Sequence, residues 1–453
     1  MAQVVLAHLY EHASPQSLAL VLLVAVHLAT PKSRAEKLLG KLPSPPFKLP
    51  VIGHLHLVGS LPHHSLRDLA SKHGPSVTLL RLGAVPTLVV SSPRAAKAVL
   101  RTHDHRLASR PRSAVADVLF GGATDVAFAP YGDYWRQARK VVTTHLLSAA
   151  KVRSGRAARE REVRLVLARV GGTAAAGAAV DLSEAFSFFA NDVVCQAVLG
   201  RFPREQGRNA MYVPGDAGDE RQAPGRLNLV SAKAVKHKKT WDKLLDGLID
   251  THASKPANDE QEQDLIDVLL SVQQEYSLTR ENIKATLMDM FEAGTDTTYI
   301  ALDYAMAELM RNPKAMAKLQ AEVRSSMSYL KAVMKESMRL HAPGPLLIPH
   351  LSMADCDSAD EFMPERLMED GMDASCDFQG NDFRFLPFGS GRRICPAINF
   401  TIATFEIILA NLIYHFDWKL PLGSTDIDMT ESFGIDVHRK ENLLVIPFLA
   451  QDV

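Results

Sequence analysis

The chain has 453 residues, 47% of them hydrophobic, and its 51 lysines and arginines are balanced by 51 aspartates and glutamates. That length and apolar share can build a sizeable core and exclude a disulfide-stapled miniprotein, while the zero formal charge offers no basic footprint for nucleic acid. Four cysteines, Cys195, Cys356, Cys376 and Cys395, show no close pairing, as suits a reducing compartment.

Near the start, "SLALVLLVAVHLA" (Ser17 to Ala29) is almost wholly apolar and is followed by Pro31, Lys32, Arg34 and Lys37. A spanning helix wants about 20 apolar residues. We read residues 1–30 as a membrane anchor, with the basic cluster holding the rest of the chain on the cytoplasmic side. A cleaved signal peptide and a buried helix are the rival readings. Residues 31–55, basic and then proline-rich in "LPSPPFKLPVIG", read as a stiff, extended hinge. Residues 56–453 form the globular body.

Within that body, Val85 to Val90 reads as a strand and Pro93 to Thr102 as a helix. "YGDYWRQARKVVTTHLL" has helical spacing, and "GGTAAAGAA" (Gly171 to Ala179) reads as a low-complexity surface loop. Cys195 lies in the apolar "NDVVCQAVLG" and reads as a packing thiol. Residues 204–228 are polar and rich in glycine and proline, a loop. From Lys233 onward most segments are helical. The longest runs from an N-cap at Thr279 to a stop at Asn312-Pro313. Its roughly 32 residues would extend about 48 Å. The fold class is therefore mainly α with small β sheets.

Four motifs carry chemistry. "AGTDTT" (Ala293 to Thr298) puts glycine and threonines, poor helix formers, in the middle of that helix. A threonine hydroxyl there can bond back to a carbonyl one turn earlier. Gly294 would let a ligand lie against the backbone, and Asp296 beside Thr297 offers an acid and an alcohol; an ordinary polar patch is the alternative. "KESMRL" sets Glu336 and Arg339 on one helical face among apolar neighbours. Such a buried pair needs a further partner, which Arg366 of "PERL" could supply; a solvated pair is the alternative. Trp135 and Arg139, four apart, could hold a carboxylate between an indole N–H and a guanidinium, or be a packed tryptophan beside a surface arginine. Last, "FGSGRRICPA" leads through a glycine turn and two arginines to Cys395. Pro396 is favoured in a helix's first turn, so the sulfur would sit at a helix N-terminus that stabilises a thiolate. A thiolate with arginines nearby suits an iron porphyrin bearing two propionates.

These motifs, in this order and over nearly the whole length, resemble those of the plant microsomal cytochrome P450 family, the haem-thiolate monooxygenases of plant specialised metabolism. The resemblance implies the cytochrome P450 fold and heme b with an axial thiolate. It makes Cys395 the proximal iron ligand, Phe388 the shield of its sulfur, and Trp135, Arg139 and Arg393 the propionate binders. Asp296 and Thr297 would relay protons toward the reacting oxygen. Glu336, Arg339 and Arg366 would form a structural triad behind the cysteine loop. The expected reaction inserts one oxygen atom from dioxygen into a lipophilic plant metabolite, with electrons from NADPH through NADPH-cytochrome P450 reductase. The expected setting is the endoplasmic reticulum membrane, with the catalytic domain (56–453) on the cytoplasmic side. Apolar substrate contacts are expected from Val115 to Phe128, Met288, Phe291, Leu346 to Ile348 and near Phe433.

The chain departs from the family pattern at several points. Ala397 stands for glycine, "PERL" for "PERF", and His350 for an arginine. "DSADEFMPERL" follows "LLIPHLSMADC" almost directly, where relatives continue for longer, and "EVRSSMSYLKAVMKE" is also short. Residues 210–228 differ from the usual substrate-covering helices. A catalytically silent or truncated haem-binding remnant is thus the alternative. A metal module built on Cys356, Cys376 and Cys395 fits zinc spacing poorly.

Overall fold

A computed structural model describes residues 37, 39–200, 227–254, 263–323, 327–348, 376–424, 426–434 and 436–450. The described residues fall into two compact units, one within the first 97 residues and one from Ala98 onward. In the first, helix α1 (Pro62–His73) opens on a proline whose missing N–H costs nothing at that position. Strands β1 (Val77–Leu82) and β2 (Val85–Val90) follow as an antiparallel hairpin, Val77 facing Val90 and Leu82 facing Val85. The turn between them uses Gly83 at φ +61°.

The second unit is mainly helical. Its longer helices are α2 (Asp133–Val141), α3 (Arg156–Ala175), α4 (Leu182–Leu199), α5 (Leu227–Ala253), α6 (Leu265–Ser271), α7 (Arg280–Arg311), α8 (Pro313–Val323), α9 (Ser328–Leu340) and α10 (Ile398–His415). Five short strands join them: β3 (Val180–Asp181), β4 (Phe416–Lys419), β5 (Glu431–Phe433), β6 (Val437–Arg439) and β7 (Leu444–Leu449). They make a three-stranded antiparallel sheet in the order β3-β7-β4 and a β5-β6 hairpin.

Helix α7 is the axis of this unit. Thr279 caps it, accepting the N–H of Asn282 in a reciprocal capping box, and it ends at Asn312 before Pro313. Its C-terminal half, Ala301 to Leu309, is buried with Phe186 and Phe189 of α4, Tyr329 and Val333 of α9, and Phe405, Ile408 and Leu412 of α10. Its N-terminal half, Ile283 to Phe291, belongs to a second core with Val198 of α4, Trp241 and Leu245 of α5, and Ile266 of α6. Each such side chain contributes about 1.5–3 kcal/mol by leaving water. Between the halves, Glu292 to Thr297 belong to neither core and remain partly accessible. The two cores therefore leave one break along α7, at its polar turn.

Helix α10 is apolar and long enough to cross a membrane by composition alone. Half of it is buried, with Phe405, Ile408, Leu409 and Leu412 at 0% exposure, so it is a core helix.

Most elements read from the sequence are present, including the packing thiol of Cys195, 6% exposed. One reading is corrected. Gly171 to Ala175 form the last turns of α3 rather than a loop. The alanines there favour helix, and Val170 at 0% exposure anchors the turn. Residues 204–226 lie outside the described residues, while Leu227 and Asn228 already belong to α5.

Candidate active site

The Cys395 loop is closed by the cysteine's own N–H, which donates to the Phe388 carbonyl at 2.9 Å. Gly391, at φ +69°, lets this loop approach its neighbours: a Cβ there would stand 2.1 Å from the Leu100 carbonyl oxygen and 3.1 Å from the Asp104 carboxyl. Arg392 fastens the same contact, donating from its backbone N–H and from Nη1 to Asp104 Oδ2 at 3.0 and 2.8 Å. The glycine thus serves a close approach to protein backbone. Phe388 packs edge-on against Phe378, ring centres 5.4 Å apart.

Helix α10 begins at Ile398 with Ala397 as N-cap, so Pro396 lies in the turn before the helix and not in its first turn. The Ala397 N–H still reaches the Cys395 sulfur at 3.4 Å. Burial pushes the thiol up, against this N–H and the Arg139 charge. A coordinated metal ion would favour the thiolate against that burial.

Basic side chains converge on this loop. Trp135, 3% exposed, and Arg139 lie one turn apart on α2. Arg139 donates to the carbonyl of Ile394, next to the cysteine. The Arg393 guanidinium stacks 4.2 Å above the Trp135 ring. It donates to the carbonyls of Ala108 (2.7 Å), Val126 (3.1 Å) and Ala129 (2.5 Å). Trp135 Nε1 also donates to Val126, at 3.0 Å. A further cation, Arg110, reaches the carbonyls of Ala127 (3.0 Å) and Ile348 (2.8 Å). Nothing in the spacing of "ASRPR" marks it beforehand.

Burial and the Arg393 charge lower Arg110 to about 9, and burial lowers Arg393 to about 10. Desolvated cations so close together call for anionic company. A thiol flanked by arginines and an indole N–H matches the chemistry of an iron porphyrin with two carboxylates, so the donor set fits that group.

On α7, Thr297 Oγ1 bonds back to the Ala293 carbonyl at 2.6 Å. Gly294 faces Val194 of α4, whose methyl would lie 3.0 Å from an added Cβ. It makes room for a neighbouring helix rather than for a ligand. Asp296 is solvent-accessible, yet its surroundings are dry enough to raise its carboxyl. Glu292, one turn earlier, is raised to about 7 by burial and then by Asp296. Asp436, between β5 and β6, is raised to about 7 by the same two causes. Sequence reading missed both: Glu292 stands four residues from Asp296, a signal at hand, whereas Asp436 comes from a distant loop.

Met288 and Phe291 are 0% and 3% exposed within the second core, so they pack rather than line a surface. Phe120 and Phe128 stack at 5.7 Å, and Leu346 to Ile348 and Phe433 are half-buried. Arg339 holds Glu336, 0% exposed, through two hydrogen bonds of 2.8 and 3.0 Å. Arg366, His350 and Cys356 lie outside the described residues.

The family model described as Cytochrome P450 matches residues 43–214, 225–360 and 357–446. The indole-2-monooxygenase of Zea mays is 49% identical over 481 residues, covering 92% of this chain and 89% of the relative. The 3-hydroxyindolin-2-one monooxygenase of Zea mays is 45% identical over 504 residues, covering 95% and 94%. A solved zebra fish cytochrome P450 with progesterone has a TM-score of 0.74 over 85% of this chain and 99% of that chain, at 22% identity, a likeness of fold. The first alignment runs over 481 positions against 453 in the whole chain, so at least 28 positions (481 less 453) of that relative have no counterpart here. The family match breaks between 214 and 225, and a further matched segment starts at 357, where the sequence reads as shortened.

Proposed function

Because the chain belongs to the cytochrome P450 family and is one of its monooxygenases, we propose that it inserts one oxygen atom from dioxygen into a small, lipophilic, indole-type metabolite. Identities of 49% and 45% to two monooxygenases named for indole and an indolinone support that substrate class. Electrons come from NADPH through NADPH-cytochrome P450 reductase. The carrying observation is the Cys395 sulfur beside the Ala397 N–H, next to a carbonyl held by Arg139 and two residues from an arginine stacked on Trp135.

Cys395 would hold the haem iron through its sulfur, covered by Phe388. Trp135, Arg139 and Arg393 would bind the propionates, and Arg110 would join them. Haem, when bound, would supply oxygen activation. Asp296 and Thr297, at the accessible turn of α7, move protons from solvent toward the reacting centre. Glu336 and Arg339, with Arg366, brace the cysteine loop. Residues 1–30 anchor the protein in the endoplasmic reticulum membrane, residues 31–55 are the hinge, and the catalytic domain (56–453) faces the cytoplasm.

The test is a carbon monoxide difference spectrum of the reduced full-length protein, followed by turnover of indole with reductase and NADPH. The red-shifted thiolate band is expected in the wild type and absent from Cys395→Ser. Material that stays colourless despite ample haem supply would refute the proposal and favour the silent remnant.

A further inference from the structure

Two carboxyls with no part in the proposed reaction meet where residues 124–129 cross α7. Asp289 Oδ2 accepts the Val126 N–H at 2.6 Å, and Asp125 Oδ2 accepts the Phe128 N–H at 2.8 Å. They are 7% and 0% exposed. The other oxygen of Asp125, Oδ1, is buried and no donor among the described residues meets it in good hydrogen-bond geometry, although the backbone N–H groups of Asp125 and Ala127 lie close to the carboxyl. A buried carboxylate oxygen without a donor costs on the order of 1–3 kcal/mol. A neighbouring carboxyl that keeps its proton is the donor that removes this cost, and Asp289 is adjacent to Asp125, each acting on the other's ionisation.

The peptide so held bears directly on the basic cluster. The Val126 N–H is taken by Asp289, while the Val126 carbonyl receives both Trp135 Nε1 and Arg393 Nη1. The Ala129 carbonyl, three residues on, receives Arg393 Nη2. We propose that Asp125 and Asp289 share one proton and act as a positioning pair, fixing the Val126 backbone and through it the directions of Trp135 and Arg393.

The surrounding charges say which acid keeps the proton. Burial raises both carboxyls, and for Asp289 the Asp125 charge is the next cause. Asp125 is offset by the Phe128 N–H and lies near Arg110 and Arg393. Asp289 therefore holds the proton and Asp125 the charge. Glu292 on α7 adds a further acid facing Asp125. From α2, Tyr134 donates to the Thr124 carbonyl and accepts from Asn282, and burial with the Asp125 charge lifts it to about 12, so it stays neutral. An acid that keeps its proton only when folded gives stability that is complete below about pH 4 and lost as the pH rises through its folded pKa.

The proton sharing rests on the two backbone contacts, the orphaned Asp125 oxygen and the mutual effect of the two acids, and its effect on haem rests on Trp135 and Arg393 being propionate binders. Asp289→Asn tests both on the purified full-length protein. Its amide oxygen can accept the Val126 N–H and its amide N–H can donate to Asp125, which mimics the protonated acid at every pH. The infrared difference between wild type and Asp289→Asn at neutral pH should contain the C=O stretch of a protonated carboxyl. Haem loss from the wild type should rise roughly tenfold as the pH is raised through the folded pKa of the pair, and stay nearly flat in the variant over the same range. Asp289→Ala should lose haem quickly at all pH values. Absence of the carboxyl band, or identical pH curves for wild type and Asp289→Asn, overturns the proposal. A band in protein that takes up no haem supports the shared proton and refutes the oxygenase reading instead, so the two failures are distinguishable.

Discussion

Replacing Asp303 with alanine should be among the most damaging single changes outside the haem donors. Arg439 on β6 donates to its two oxygens at 2.7 and 3.4 Å, and Ser183 on α4 donates at 2.6 Å. Asp303 and Arg439 are 4% and 5% exposed, so the guanidinium that remains would be buried with only the Asp428 carbonyl, 3.1 Å away, among the described residues. Breaking a buried pair from one side costs about 3–5 kcal/mol. At about 2–4 °C per kcal/mol for a unit of this size, the midpoint of thermal unfolding falls by roughly 6–20 °C. The double variant Asp303→Leu/Arg439→Met removes both charges and should recover most of that loss. Urea unfolding of the three proteins followed by circular dichroism measures it. A loss under about 1 kcal/mol for Asp303→Ala, or a double variant as damaged as the two singles together, would refute the reasoning.

Arg393→Ala removes the stack on Trp135 and frees three loop carbonyls, so haem content, read as absorbance per protein, should fall severalfold; unchanged content would remove Arg393 from the propionate site. Thr297→Ala is expected to keep substrate binding while diverting electrons to peroxide, and unaltered coupling of NADPH use to product would count against its proton role. Glu292, held near 7 when folded and at about 4.3 when unfolded, contributes stability at low pH that is lost as the pH rises through 7. Glu292→Gln should therefore flatten the decline in unfolding midpoint between about pH 5 and about pH 8, and a parallel pair of profiles would show the acid to be solvated.

What the sequence revealed followed the range of the forces involved. Both ends of α7 were readable because a capping box and an Asn-Pro stop act within four residues. The cysteine loop and the polar turn of α7 were readable from their residue types, but the partners of their glycines were not: Gly391 of the loop meets Leu100 and Gly294 of α7 meets Val194, contacts made only by folding. Gly171 to Ala175 were misread because glycine counts as a breaker locally, while two alanines and a buried Val170 decide otherwise. Arg110 and Asp436 carried no local pattern, and their importance lies in charges brought near from distant loops. The helix start and the nearby arginines, which favour a thiolate, were readable locally; burial, a property of the whole fold, acts against them.

Strand β7 pairs with β3 on one side and β4 on the other, Val445 opposite Val180 and Leu449 opposite Phe416. During synthesis at about 5–20 residues per second, β3 leaves the ribosome roughly 10–50 s before its partner exists. Val180 and the start of α4 spend that interval without their cover, an invitation to chaperones in the nascent chain. A premature stop just ahead of Leu444 would make that interval permanent, turning a loss of only a few terminal residues into a quality-control failure of the whole polypeptide.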